Sequence, residues 1–228
     1  MEQVKPYFQT DLVTLYLGDC LEVTEWLSAD VLVTDPPYGI AWTPKKGSYT
    51  KSAGHRNLID AALISGDDST AARDSVLALW SDRPAIVFGS WKAARPAETK
   101  HRLIWHKAGM PPGPLNAPFM SNDEEIYVLG KGFRPSSPPL RSIITTNEHR
   151  PSAVRDAGHP TPKPIGLMET LIDRCPEGLI ADPFSGSGST LIAARNLGRQ
   201  AIGIELDESY CELIANQLSQ EAFDLGGI

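Results

Sequence analysis

The sequence predicts a doubly wound α/β domain: a mostly parallel sheet with helices on both faces. Three observations carry this. Short β-branched or aromatic runs alternate with stretches of helical apolar spacing. Two of the runs stop abruptly at an acid and a tight turn: Val31–Thr34 at Asp35-Pro36-Pro37-Tyr38, and Leu179–Ala181 at Asp182-Pro183-Phe184-Ser185-Gly186-Ser187-Gly188. The chain has 228 residues and is 41% hydrophobic, enough for a single large domain around one sizeable core.

The predicted strands are Val13–Gly18, Val31–Thr34, Ala85–Gly89, Arg102–His106, Glu125–Leu129, Leu179–Ala181 and Ala201–Glu205. Each is short and bounded by turn residues. The predicted helices are Leu21–Leu27, Ala71–Trp80, Ile165–Arg174, Ser189–Leu197 and Glu208–Ser219. The last two carry apolar residues at helical spacing: Leu191, Ala194 and Leu197, then Cys211, Ile214 and Leu218. Two regions break the alternation. Gly39–Asn57 is polar and basic, while Ala108–Asn122 and Gly130–Pro164 hold many of the prolines and glycines. Irregular stretches of this length in a compact domain are functional or disordered.

Composition removes several classes. No apolar run approaches the roughly 18 residues of a membrane span. The opening MEQVKPYFQTD lacks the basic-then-apolar pattern of a signal peptide, so a cytoplasmic protein is expected. Cys20, Cys175 and Cys211 have neither metal-ligand nor disulfide-framework spacing and read as buried thiols. The net charge of −7 weighs weakly against a nucleic-acid partner, but local distribution matters more. Lys45, Lys46, Lys51, His55 and Arg56 cluster after the first turn; Lys92, Arg95, Lys100, Arg102 and Lys107 cluster mid-chain. An ordinary solvated surface would read the same way.

In open α/β sheets, ligands sit beyond the carboxyl ends of the strands, so both acid-ended turns can face one crevice. The second is a strand–loop–helix with glycines at Gly186 and Gly188. Glycine permits the tight turn and close ligand approach, and the helix start offers unpaired N–H groups. No lysine follows as a phosphate-binding loop requires, which argues against ATP. The next strand ends at Glu205, about 20 residues on, where a carboxylate can accept both ribose hydroxyls of a nucleoside. That much fits NAD equally. Asp19, at the end of the first strand, either N-caps the following helix or accepts from an adenine amino group.

Taken together these segments resemble the DNA amino-methyltransferases. The resemblance rests on Gly18–Glu22, Asp35–Gly39, Trp105–Lys107, Glu124–Gly132, His159-Pro160-Thr161-Pro162-Lys163-Pro164 and Asp182–Tyr210, covering nearly the whole chain. The order is the permuted one, with the catalytic motif before the cofactor motif. The resemblance implies a Rossmann-like S-adenosylmethionine-dependent fold with a small target-recognition region, at about 92–155, inserted in a single catalytic domain. It implies cofactor contacts at Asp19, Thr161, Lys163, Asp182, Phe184, Ser185, Gly186, Gly188 and Glu205, with Lys163 on the methionine carboxylate. The partner implied is duplex DNA, with a homodimer and a cognate restriction enzyme as further expectations. Candidate DNA contacts are Lys45, Lys46, Lys51, Arg56, Arg95 and Lys107.

An exocyclic amino nitrogen is a poor nucleophile because its lone pair is delocalised into the ring. The candidate catalytic residues Asp35, Pro36, Pro37 and Tyr38 answer this. The Asp35 carboxylate and the Pro36 carbonyl can grip two amino hydrogens, Pro37 stiffens the turn, and Tyr38 offers a face for an extruded base. Relatives with this tetrapeptide more often methylate adenine at N6, and those with Ser in place of Asp cytosine at N4. The turn chemistry suits any planar amide or amine, so an RNA amine stays open as an acceptor; methyltransferases of protein glutamine resemble the chain less, since they carry Asn in place of Asp35 and have the cofactor loop first.

Overall fold

The computed structural model describes residues 4–40, 67–108, 118–119, 121–147 and 162–224, with side chains to residue 220. Among the described residues, nine strands form one sheet: β1 (Phe8–Gln9), β2 (Val13–Leu17), β3 (Val31–Thr34), β4 (Ala85–Gly89), β5 (Thr99–Lys107), β6 (Asp123–Leu129), β7 (Ile143–Thr146), β8 (Ile180–Asp182) and β9 (Ala201–Glu205). The helices are α1 (Ala71–Trp80), α2 (Ile165–Ile172), α3 (Ser189–Asn196) and α4 (Glu208–Asp224). Spatial order is β1-β2-β9-β8-β3-β4-β6-β5-β7. The run β2-β9-β8-β3-β4 is parallel throughout, and β6 enters antiparallel beside β4.

Alternation along the strands builds two cores. On one face Val31, Val33, Ile86 and Phe88 meet Leu167, Met168 and Leu171 of α2, Leu191 and Ala194 of α3, and Ile214 and Leu218 of α4. On the other, Leu32, Ala85, Val87 and Tyr127 pack with Trp26, Val76 and Trp80. The Trp26 and Trp80 rings stack at 5.9 Å. Successive side chains of a strand point to opposite faces, so one buried run such as Val31–Thr34 feeds both layers. The three cysteines are free and buried, as their spacing suggested.

The structure corrects several boundaries. Leu21–Leu27 is not an α-helix; a short 3-10 turn covers Glu25–Ser28. There the Trp26 indole donates to the Cys20 carbonyl at 2.8 Å, an interaction that only the folded turn reveals. Leu197 lies just beyond α3 and is exposed. The sequence reading overlooked β1, only two residues long, and β7, an edge strand. Residues 92–155 contribute β5, β6 and β7 to the sheet.

The position of β8 decides where the site lies. It sits between β9, reached through α3, and β3, and their registers align Val31 with Ile180 and Asp182 with Gly203. Asp35 and Asp182, the two acids that end the motif strands, therefore emerge from neighbouring strands at one edge of the sheet.

Candidate active site

One cavity of about 940 Å³ opens at this edge. Its wall includes Asp19, Asp35, Pro36, Pro37, Tyr38, Lys107, Glu124, Lys163, Asp182, Phe184, Ser185, Gly186 and Glu205. Residues from both motif strands thus line one space. Gly188 lies just behind it as the first residue before α3.

The glycine loop has the shape a nucleoside cofactor needs. Gly188 takes φ +81°, and a Cβ there would stand 2.8 Å from Ile214 Cγ1, so both backbone and packing require glycine. A Cβ on Gly203 would reach 2.4 Å from Ser185 Oγ, so the bare strand lets the loop sit directly on β9. Glu205 ends that strand. Its Oε2 accepts from the Gly186 N–H at 2.6 Å and its Oε1 from the Asp207 N–H at 2.9 Å. Burial pushes the Glu205 carboxyl up, against these backbone donors. Asp182 is buried, accepting from the Thr34 hydroxyl at 2.7 Å and the Phe184 N–H at 3.2 Å. Burial outweighs those bonds and raises its carboxyl to about 6. Asp19 Oδ1 accepts from the Leu21 N–H at 2.8 Å, so the residue caps its turn while also lining the cavity.

The other half of the cavity is a closed charge network. Asp35 Oδ1 accepts from the Tyr38 hydroxyl at 2.8 Å, and its Oδ2 pairs with the Lys163 ammonium. Lys163 also lies 3.4 Å from Glu124 Oε2. The second oxygen of Glu124 is paired with Lys107, whose ammonium sits 4.4 Å above the Trp105 ring. Burial raises the Asp35 carboxyl against the opposing pull of Lys163, with Glu124 pushing the same way as burial. For Glu124 burial also acts upward, but Lys163 and Lys107 together outweigh it and hold the carboxyl below its usual range. Burial would lower Lys163, yet the two carboxylates keep its ammonium above the usual value.

Several sequence-derived assignments take a different setting here. Lys163 lines the cavity together with the glycine loop and touches Asp35 and Glu124. Lys107 lies in the cavity wall, paired with Glu124. Arg95 shares the buried Glu125 carboxylate with Arg102, at 3.4 and 2.9 Å. Lys45, Lys46, Lys51, Arg56 and Thr161 lie outside the described residues. Sequence reasoning did not single out Glu124 as a site residue. The signal was there: the acids Asp123, Glu124 and Glu125 open a strand whose following residues are apolar, so some of them must be paired.

This architecture, with a glycine loop and an Asp-Pro-Pro-Tyr turn at neighbouring strand ends, is that of the Rossmann-like amino-methyltransferases. The chain belongs to the DNA methylase family that acts at N6 of adenine or N4 of cytosine; the family pattern matches residues 81–217, more than half of its length. Among curated relatives, the type II methyltransferase M.ScaI of Streptomyces caespitosus is 26% identical, over 97% of this chain and 86% of its own. The putative methylase YubD of Escherichia coli K12 is 29% identical, over 85% and 84%. Among solved structures, M1.HpyAVI in complex with SAM superposes with a TM-score of 0.60 at 20% identity, over 90% of this chain and all of its own. The cytosine-N4-specific PvuII DNA methyltransferase gives 0.60 at 17% identity, over 92% and 88%.

Proposed function

We propose that this protein transfers a methyl group from S-adenosylmethionine to the N6 amino group of adenine in duplex DNA, with the target base rotated out of the helix. The observation that carries the reading is the shared cavity: the Asp35–Tyr38 turn and the glycine loop line one space. A base and a nucleoside cofactor can meet there without either strand moving. The aspartate at the head of the turn favours adenine over cytosine.

The residues fit the cofactor. Gly186 and Gly188 give backbone access, Glu205 accepts ribose hydroxyls, and Phe184, Ser185 and Asp182 complete the loop side of the cavity, with Asp19 toward the adenine. The cofactor supplies a sulfonium-bound methyl already activated for displacement, the electron pair of the broken bond staying on sulfur.

The chain's own task is orientation. An amino hydrogen of the target donates to Asp35 and the other to the Pro36 carbonyl, which aims the nitrogen lone pair at the methyl. Forming the N–C bond leaves one proton too many on nitrogen, and the Asp35 carboxylate receives it. The Tyr38 ring stacks on the extruded base. Lys163 holds the Asp35 carboxylate in place and, with Thr161, offers a contact to the methionine end of the cofactor. The linkers between strands within 92–155 select the DNA sequence. Lys45, Lys46, Lys51, Arg56, Arg95 and Lys107 supply contacts to the duplex, and a homodimer or an associated restriction enzyme completes the setting.

Expression in a methylation-free bacterial host, followed by nucleoside mass spectrometry and base-resolution sequencing of plasmid DNA, tests this reading. N6-methyladenine at a defined site is the expected result. N4-methylcytosine would transfer the reading to the other amino base, and unmethylated DNA would overturn it.

A further inference from the structure

Glu124 shares the cavity wall with Asp35 and is linked to it through the Tyr38 hydroxyl and the Lys163 ammonium. Three oxygens stand in a row: Asp35 Oδ1, the Tyr38 hydroxyl and Glu124 Oε2, with 2.8 Å from the hydroxyl to each carboxylate. Two contacts of that length between oxygens need two hydrogens. The phenol brings one. When it points at Glu124, the Asp35–Tyr38 contact requires a proton on Asp35; when Asp35 is ionised, the phenol turns to it and the contact with Glu124 loses its hydrogen.

The surrounding charges decide which carboxyl holds the second proton. Lys107 from β5 and Lys163, just before α2, both face Glu124. Among the described residues, Lys163 is the one cation paired with Asp35, with Asp182 at the end of the neighbouring β8 as a further acid. Glu124 is therefore the fixed anion and Asp35 the group that gains and loses a proton. The opposite directions of their shifts agree with this.

We propose that Glu124 is a positioning residue of the transfer site, acting through the Tyr38 hydroxyl and Lys163 to orient Asp35 and to set the pH at which Asp35 becomes an acceptor for the target amine. The two routes oppose each other. The charge of Glu124 disfavours ionised Asp35 and draws Lys163 and the phenol hydrogen away from it. The phenol hydrogen, when it reaches Asp35, favours ionisation.

This rests on the reading of Asp35–Tyr38 as the transfer site, and the experiment separates the two. Single-turnover transfer of tritiated methyl from S-adenosylmethionine to unmethylated bacterial genomic DNA is followed from acid to neutral pH. Asp35→Ala comes first: a wild-type rate in that variant removes the transfer site itself, whatever Glu124 does. With Asp35 required, Glu124→Gln should move the acid limb of the rate profile to lower pH by about one unit. Tyr38→Phe should move it to higher pH. Opposite displacements are the expected result, since a residue that only supports the fold lowers the rate at every pH and leaves the limb in place. Coincident limbs in wild type and both variants overturn the proposal. If thermal melting shows that Glu124→Gln does not fold, Tyr38→Phe decides alone: an unmoved or lowered limb overturns the proposal.

Discussion

Lys163 and Asp35 lie 128 residues apart in the chain and meet as an ion pair in the wall of the cavity, the lysine buried and the aspartate half-buried. The contact ties the loop before α2 to the turn after β3, so the two halves of the permuted motif set are joined by charge as well as by the sheet. Glu124 adds a second carboxylate to the same ammonium.

Removing that ammonium leaves the Asp35 and Glu124 carboxylates without the cation they share. Lys163→Met is expected to destabilise the fold by about 3–5 kcal/mol at neutral pH, the scale for breaking one partner out of a buried pair. Urea denaturation reads this directly. A loss below about 1 kcal/mol would mean that solvent reaches the site and screens the pair.

Asp35→Ala should reduce methyl transfer by several orders of magnitude while keeping the fold and most cofactor affinity. Tyr38→Ala should lose less, because it removes stacking worth roughly 1–3 kcal/mol per base. Tyr38→Phe keeps that face and should retain more activity than Tyr38→Ala. Single-turnover kinetics on target DNA rank the three variants. Near-normal transfer by Asp35→Ala would remove the turn from catalysis.

Glu205 holds the Gly186 N–H and faces the cavity. Glu205→Ala should weaken S-adenosylmethionine binding by about 1–3 kcal/mol, the cost of a lost charged hydrogen bond. Calorimetry in the absence of DNA measures it. Unchanged affinity in a folded variant would take Glu205 out of the cofactor site.

Asp182 gives a pH signature in stability. Its folded carboxyl is raised to about 6 from an ordinary value of 3.8. Between those values the folded protein holds a proton that the unfolded chain has released. Its contribution therefore favours the fold at low pH, weakens as pH rises from about 4 to 6, and stays constant above. About two pH units correspond to roughly 3 kcal/mol. Asp182→Asn keeps an oxygen for Thr34 and the Phe184 N–H but has no proton to lose. Relative to wild type it should gain stability from pH 4 to pH 6, as read by urea melts at both. A parallel pair of curves would contradict the assignment.

Neutralising Lys45, Lys46 and Lys51 together should flatten the dependence of DNA binding on salt, with little effect on cofactor affinity. Equilibrium binding to a duplex across a salt series tests this; an identical slope would exclude the three lysines as phosphate contacts.

The sequence by itself determined the α/β class, the motif strands and helix α1, because β-branched runs, turn residues and helical periodicity are local signals. Val31–Thr34, Ala85–Gly89, Ala201–Glu205 and Ala71–Trp80 were legible to the residue. So were the two turns that carry the chemistry, since glycine and proline restrict the backbone wherever they stand. Edge strands were harder. Ile143–Thr146 lies half-exposed and gains its identity from pairing with β5, which no local window contains. What only the tertiary structure decided is the partnership of charges. Lys163 reads as a ligand of the cofactor from its motif, and Lys107 as a DNA contact from its neighbours. Folding adds a partner that neither motif names: both lie on Glu124, with Lys163 shared by Asp35. A carboxylate withdrawn from water must find a cation, and which cation it finds depends on which strands the sheet sets side by side.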